Sequence, residues 1–156
     1  CAFTPSRRVE LTRMAIALGC VAAPALVDPH AVLASSVRVG DGTFINAGVV
    51  VGAASIIGSG VLINRSASVG HHAALGDFVS IGPGATLAGN VHVEEGTMIG
   101  AGAIVLPNVR IGSGAIVAAG SLIRRDVASN SFVAGNPAIE RVFDASKSSL
   151  HVEDGE

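Results

Sequence analysis

Two adjacent histidines, His71 and His72, are the residues of this 156-residue chain best suited to moving a proton. Histidine as a residue type titrates near neutral pH, so an exposed imidazole beside an open groove can serve as a general base. The pair sits among small residues, in Val69-Gly70-His71-His72-Ala73. Positions 18 residues away, which the repeat described below stacks on His71, are Ala53 on one side and Gly89 and then Pro107 on the other. Those neighbours leave room beside the ring. The opposing reading is a pair of solvated turn residues, and the spacing alone leaves both open. The other histidines, His30, His92 and His151, are scattered. Carboxylates do not gather around the pair: Asp77 falls at the next turn, and Glu94 and Glu95 lie further along. A zinc site needs three or four ligands in a fixed geometry. The only close pair of histidines is one residue apart, and Cys1 and Cys20 lack metal-ligand spacing, so no metal is expected.

The elements that position these residues follow from a repeat. Stepping by six from Val27 gives Leu33, Val39, Ile45, Val51, Ile57, Ile63 and so on to Ile123, seventeen aliphatic residues in unbroken register. The next residue is often glycine, as at Gly40, Gly52, Gly58, Gly70, Gly76, Gly82, Gly100 and Gly112. The fourth residue after each aliphatic one is small or β-branched, from Ala31 to Val127. A period of six matches neither an amphipathic helix nor a simple alternating strand. It matches a coil of three short strands joined by tight turns, with the aliphatic side chains stacked inside a triangular prism. Each coil takes 18 residues, and successive coils lie ~4.8 Å apart, the ordinary strand spacing. The predicted fold is all-β, a left-handed parallel β-helix. His71 and His72 fall in one of its turns, at a corner of the prism.

Composition agrees. Hydrophobic residues make up 49% of the chain and aromatic residues 3%, with no Trp or Tyr, so the interior must be aliphatic. Twenty glycines are too many for a helical bundle, where each interior glycine costs about 1 kcal/mol. A net charge of −2 with no basic stripe argues against nucleic acid as a partner. The longest apolar run, Met14 to Val27, is shorter than the roughly 20 residues of a membrane span. A competing reading of Ser6-Arg7-Arg8, this run and Ala22-Ala23-Pro24-Ala25 is a twin-arginine export signal, against which Glu10 beside the arginines counts. Without a disulfide framework, a reducing cytoplasm is expected.

Solenoids need their open ends covered. Ser6 is expected to cap a helix running to about Leu18, with Gly19 as its stop, and Cys20 to Leu26 to form a strand or linker. The organisation expected is an N-terminal piece over 1–26, the β-helix over 27–128, a C-terminal cap over 129–143 with a short helical turn through Phe143, and a disordered Ser-rich and acidic tail over 144–156.

Several segments carry a family resemblance. Ile63-Asn64-Arg65-Ser66-Ala67-Ser68-Val69-Gly70-His71 resembles a segment of bacterial sugar acetyltransferases. So do Ala88-Gly89-Asn90-Val91, Ile99-Gly100-Ala101-Gly102-Ala103, Val105-Leu106-Pro107-Asn108-Val109 and Val133-Ala134-Gly135-Asn136-Pro137-Ala138, with Val27-Asp28-Pro29-His30-Ala31 at the start of the β-helix. The family is that of the sialic acid O-acetyltransferases (NeuD-like) and the N-acetyltransferases of UDP-4-amino sugars. The resemblance covers about residues 6–143.

It implies an enzyme that moves an acetyl group from acetyl-CoA, as co-substrate, to an amine or hydroxyl of a sugar or sugar nucleotide. His71 would be the general base. Gly89, Ala101 and Ala119 would contact the cofactor, and Asn64 and Ser80 the acceptor. The family assembles as homotrimers with each site between two subunits. Two departures stand out. The family has Asp or Glu after the catalytic histidine, where this chain has His72, so that the His72 imidazole, or a carboxylate elsewhere such as Asp77, would take that part. The family also carries a Rossmann-like acceptor-binding domain, of which residues 1–26 resemble only the last helix and strand. The alternatives are a serine or other small-molecule acetyltransferase, and a non-catalytic trimeric scaffold.

Overall fold

The computed structural model describes residues 4–141. Seventeen two-residue strands, β1 (Leu26–Val27) and then one every six residues to β17 (Leu122–Ile123), build the expected left-handed parallel β-helix. They form three faces. Face A contains β1, β4, β7, β10, β13 and β16; face B runs from β2 to β17 and face C from β3 to β15, each taking every third strand. Neighbouring strands are parallel and 18 residues apart, as in Ile63↔Ile81↔Ile99. Each turn between strands forms a corner of the prism, named AB, BC or CA by the faces it joins.

The six-residue period places one aliphatic side chain per strand inside. From Ile45 to Ile123 every one of these residues is buried. The small residues four positions on fill the corners: Val49, Val61, Ala67, Ala73, Val79, Ala85, Val91, Ala103 and Ala115 are all buried. Buried hydroxyls at such corners are satisfied. Thr43 Oγ1 donates to Gly58 O at 2.8 Å, and Thr97 Oγ1 to Gly112 O at 2.8 Å.

The N-terminal helix, α1 (Pro5–Ala17), begins one residue before Ser6. Thr4 is its N-cap and Pro5 opens its first turn, where a missing N–H is harmless. It ends as expected at Gly19, whose φ is +82°. Cys20 N donates to Ala15 O at 3.0 Å and Gly19 N to Ile16 O at 2.9 Å, closing the helix by the paired bonds that a left-handed glycine permits. Arg8 docks the helix on the prism. Its Nη1 donates to Ser80 Oγ at 2.7 Å, its Nη2 to Phe78 O and Val79 O, and its Nε to Gly60 O at 3.0 Å. Burial pulls the Arg8 pKa below its ordinary value, though a guanidinium stays protonated at neutral pH. Among the described residues, no helix is long and apolar enough to cross a membrane.

The last coil departs from strict register. Val127, which falls on a corner position in the six-residue pattern, instead bridges to Ile111, 16 residues away. The shortening removes a strand residue opposite Arg110, and Asp126 Oδ1 accepts the Arg110 N–H at 2.8 Å in its place. Parallel pairing then runs past Ala128: β18 (Phe132–Gly135) pairs with β16. The chain reverses through Gly135, with φ +110°, into β19 (Ala138–Arg141), which pairs antiparallel with β18. A hairpin therefore stands where a helical turn is expected, because the glycine permits a tight reversal and Val133 remains buried under it. Phe143 and the 144–156 tail lie outside the described residues.

Candidate active site

The BC corner between β8 (Ser68–Val69) and β9 (Ala74–Leu75) carries His71 and His72. Ser55, one coil below, braces this turn: its buried Oγ donates to Gly70 O at 2.9 Å and accepts from Ala73 N at 3.2 Å. His72 N donates to Ala53 O, and Asn90 N to His71 O, both at 2.8 Å, so the turn is tied to the coils on either side. His72 has φ +55°, in column with Ala54, Asn90 and Asn108, which also have positive φ. Asn90 Nδ2 donates to Asn108 Oδ1 at 2.8 Å, extending an amide ladder up the corner.

Both imidazoles are exposed. The His71 ring lies across Gly89: a Cβ built on Gly89 would come within 2.6 Å of His71 Nε2. The small residue 18 positions on thus leaves the room that stacking predicts. The two histidines also touch, Nδ1 to Nδ1 at 3.0 Å. An exposed imidazole with one nitrogen backed by a neighbour and the other edge over a glycine can take a proton from a substrate.

The other residues singled out by sequence do not all join this corner. Ala101 and Ala119 are exposed and stacked on the AB corner, at the opposite edge of face B. Each lies close above a glycine; a Cβ on Gly82 would run into Ala101 N, and one on Gly100 into Ala119 N. Asn64 is on the same corner, half-buried, its Oδ1 3.4 Å from Asn46 Nδ2. Ser80, expected at the acceptor site, is buried on face A with its hydroxyl accepting from Arg8. The cause is α1, which covers that strand. Asp77 lies on the CA corner, where its Oδ1 accepts from Ser59 N at 2.7 Å, so it does not back His71. Among the described residues no three metal-ligating side chains cluster.

Two supporting residues carry little signal in the sequence: Ser55, a hydroxyl at a corner position 18 residues below Ala73, and Arg8, whose contacts lie 52 to 72 residues away.

The chain matches the family model described as bacterial transferase hexapeptide (six repeats) over residues 90–125. Among curated proteins none matches. Solved structures do. PerB from Caulobacter crescentus, in complex with CoA and GDP-perosamine, is 37% identical with a TM-score of 0.87, over 90% of this chain and 68% of that one. The acetyltransferase domain of PglB from Neisseria gonorrhoeae is 37% identical with a TM-score of 0.86 over the same shares. WeeI from Acinetobacter baumannii is 28% identical, with a TM-score of 0.85 over 90% of this chain and 68% of that one. On the unbroken six-residue repeat and this likeness, the chain belongs to the bacterial hexapeptide-repeat transferases and, within them, to the acetyltransferases.

Proposed function

We propose that the protein transfers an acetyl group from acetyl-CoA to an amino group on a nucleotide-linked sugar, with His71 as the general base. The observation that carries this reading is the exposed His71 imidazole laid over Gly89 at a prism corner, in a chain 37% identical to PerB, whose structure holds CoA and GDP-perosamine. The acceptor amine attacks the thioester carbonyl carbon. His71 Nε2 takes the amine proton as the C–N bond forms. The tetrahedral intermediate then collapses, the C–S bond breaks, and the proton passes to the departing thiolate, giving amide and CoA. Backbone N–H groups along the corner stabilise the oxyanion without reorganisation. The amide N–H groups of Ala101 and Ala119 make no backbone hydrogen bond among the described residues and are available to the pantetheine arm. An amine is favoured over a hydroxyl acceptor because perosamine N-acetyltransferase is among the similar structures.

The acting unit in this reading is a homotrimer. Face B exposes Val32 and Val50 toward one end and Ile104, beside the half-buried Leu122, toward the other, with Ser68 and Thr86 between them. Burying those apolar residues favours association, and closed threefold symmetry suits a three-faced prism. Three copies turning face B inward bring the AB corner of one, with Asn64, Ala101 and Ala119, against the BC corner of the next, with His71 and Gly89. Acetyl-CoA supply puts the reaction in the cytoplasm.

The test is thiol release from acetyl-CoA with a panel of acceptors: GDP-perosamine, other nucleotide-linked amino sugars, sialic acid and serine. The expected result is release with a nucleotide-linked amino sugar and acetylated product by mass. Release only with sialic acid or serine would replace the acceptor, and no release with any would favour a scaffold.

A further inference from the structure

The two exposed imidazoles of the BC corner face each other through like atoms. Their Nδ1 atoms are 3.0 Å apart, and the ring planes are twisted by 86°. We propose that His72 is a positioning residue that holds His71 in the tautomer a general base needs, by accepting a hydrogen bond from His71 Nδ1. The inference deepens the acetyltransferase reading and takes its functional meaning from it.

Each nitrogen of a neutral imidazole carries either a proton or a lone pair. Two lone pairs at 3.0 Å repel, and so do two N–H groups, so a stable contact has one proton between the rings. The base role proposed for His71 requires that the proton be its own. His71 Nε2 lies at the Gly89 side of the ring, away from His72. With the shared proton on His71 Nδ1, Nε2 keeps its lone pair and can act as a base. His72 then presents the lone pair of its own Nδ1 and carries its proton on Nε2. When His71 Nε2 takes a substrate proton, the His71 Nδ1–H bond to His72 remains and is strengthened by the new charge. The alternative assignment, with the proton on His72 Nδ1, would put the His71 proton on Nε2 and block it as a base.

The fold fixes His72 for this part. Its φ of +55° is shared by its column neighbours Asn90 and Asn108, and its N–H is held by Ala53 O at 2.8 Å. Gly, Asn and Asp accept such a backbone readily, so His72→Gly, His72→Asn and His72→Asp leave the turn intact while changing what faces His71. His72→Gly offers no acceptor. His72→Asn and His72→Asp each offer an oxygen.

The test uses the full chain labelled with nitrogen-15 in histidine. Long-range proton–nitrogen NMR spectra above pH 8 report which ring nitrogen carries the proton, with assignments from His71→Ala and His72→Gly. Wild type is expected to show His71 protonated at Nδ1 and His72 at Nε2. In His72→Gly the His71 signals should change to a tautomer mixture, and in His72→Asp they should return to the Nδ1-protonated form. In thiol-release assays with acetyl-CoA and GDP-perosamine, His72→Gly should lower kcat by about 10-fold or more at unchanged KM for acetyl-CoA, and His72→Asp should restore it. His71 protonated at Nε2 in wild type, or a His71 tautomer indifferent to His72, would overturn the proposal. The locked tautomer in a chain without turnover would uphold the arrangement and count against acetyl transfer instead.

Discussion

The imidazole of His71 occupies the space that a side chain on Gly89 would fill: a Cβ there would lie 2.6 Å from Nε2 and 2.7 Å from Cε1. Gly89 thus belongs to the site through what it lacks. Gly70 makes an equally close approach, but to backbone, with a Cβ 2.5 Å from Ala88 C. The two glycines therefore predict opposite phenotypes. Gly89→Ala should displace the His71 ring and lower acetyl transfer at least about 10-fold while thermal stability changes little, because a side chain can rotate away. Gly70→Ala should destabilise the fold by about 1–3 kcal/mol or more, since the coil itself must shift. Thermal melts and thiol-release rates on both variants check this.

Arg8 ties α1 to face A through Ser80, Phe78, Val79 and Gly60. Arg8→Ala removes those bonds and should cost about 1–3 kcal/mol. Arg8→Lys should recover only part, because an ammonium lacks the planar fork that reaches several acceptors together. Chemical denaturation measures the cost, and faster amide exchange at Ala15 to Cys20 would mark release of the helix.

The proposed trimer rests on the apolar residues that face B exposes, Val32, Val50 and Ile104. Ile104 is 45% exposed in the single chain. Ile104→Arg should dissociate the assembly to monomers, read by light scattering, and should also abolish thiol release because the AB and BC corners no longer meet. A monomeric variant with full activity would refute a site shared between subunits.

The prism was legible in the sequence because each interior position recurs every six residues and tolerates only aliphatic side chains; Ile45 to Ile123 needed no other information. The relation of His71 to Gly89 was legible for the same reason, since 18-residue stacking fixes which residues adjoin. The departures came from contacts without a period. The shortened last corner depends on one side chain, Asp126, standing in for backbone at Arg110. Ser80 points outward from its strand, and only the long-range docking of Arg8 makes it a buried residue rather than an acceptor contact. The hairpin at β18 and β19 hinges on one glycine φ, which pattern reading does not resolve.

At the start of the solenoid, Asp28 Oδ1 accepts from His30 N at 2.8 Å and lies 3.1 Å from His30 Nδ1. The backbone hydrogen bond, with the His30 ring adding to it, holds the Asp28 carboxyl below its usual range. A carboxyl depressed in the folded state stabilises it above the unfolded carboxylate pKa, and that contribution is lost as pH falls through the folded value. Asp28→Ala should therefore lower the denaturation midpoint slightly at pH 7, and the difference from wild type should vanish at strongly acidic pH. A difference that persists in acid would assign the effect to packing.

The proton transfer to His71 proposed for the acetyl-transfer step is tested by comparing CoA release by wild type and His71→Ala with the accepted amino sugar at saturation. His71→Ala should lower kcat at least about 100-fold, the usual scale for loss of a general base, with the assembly mass and the melting temperature unchanged. Undiminished turnover by a folded His71→Ala protein would contradict it.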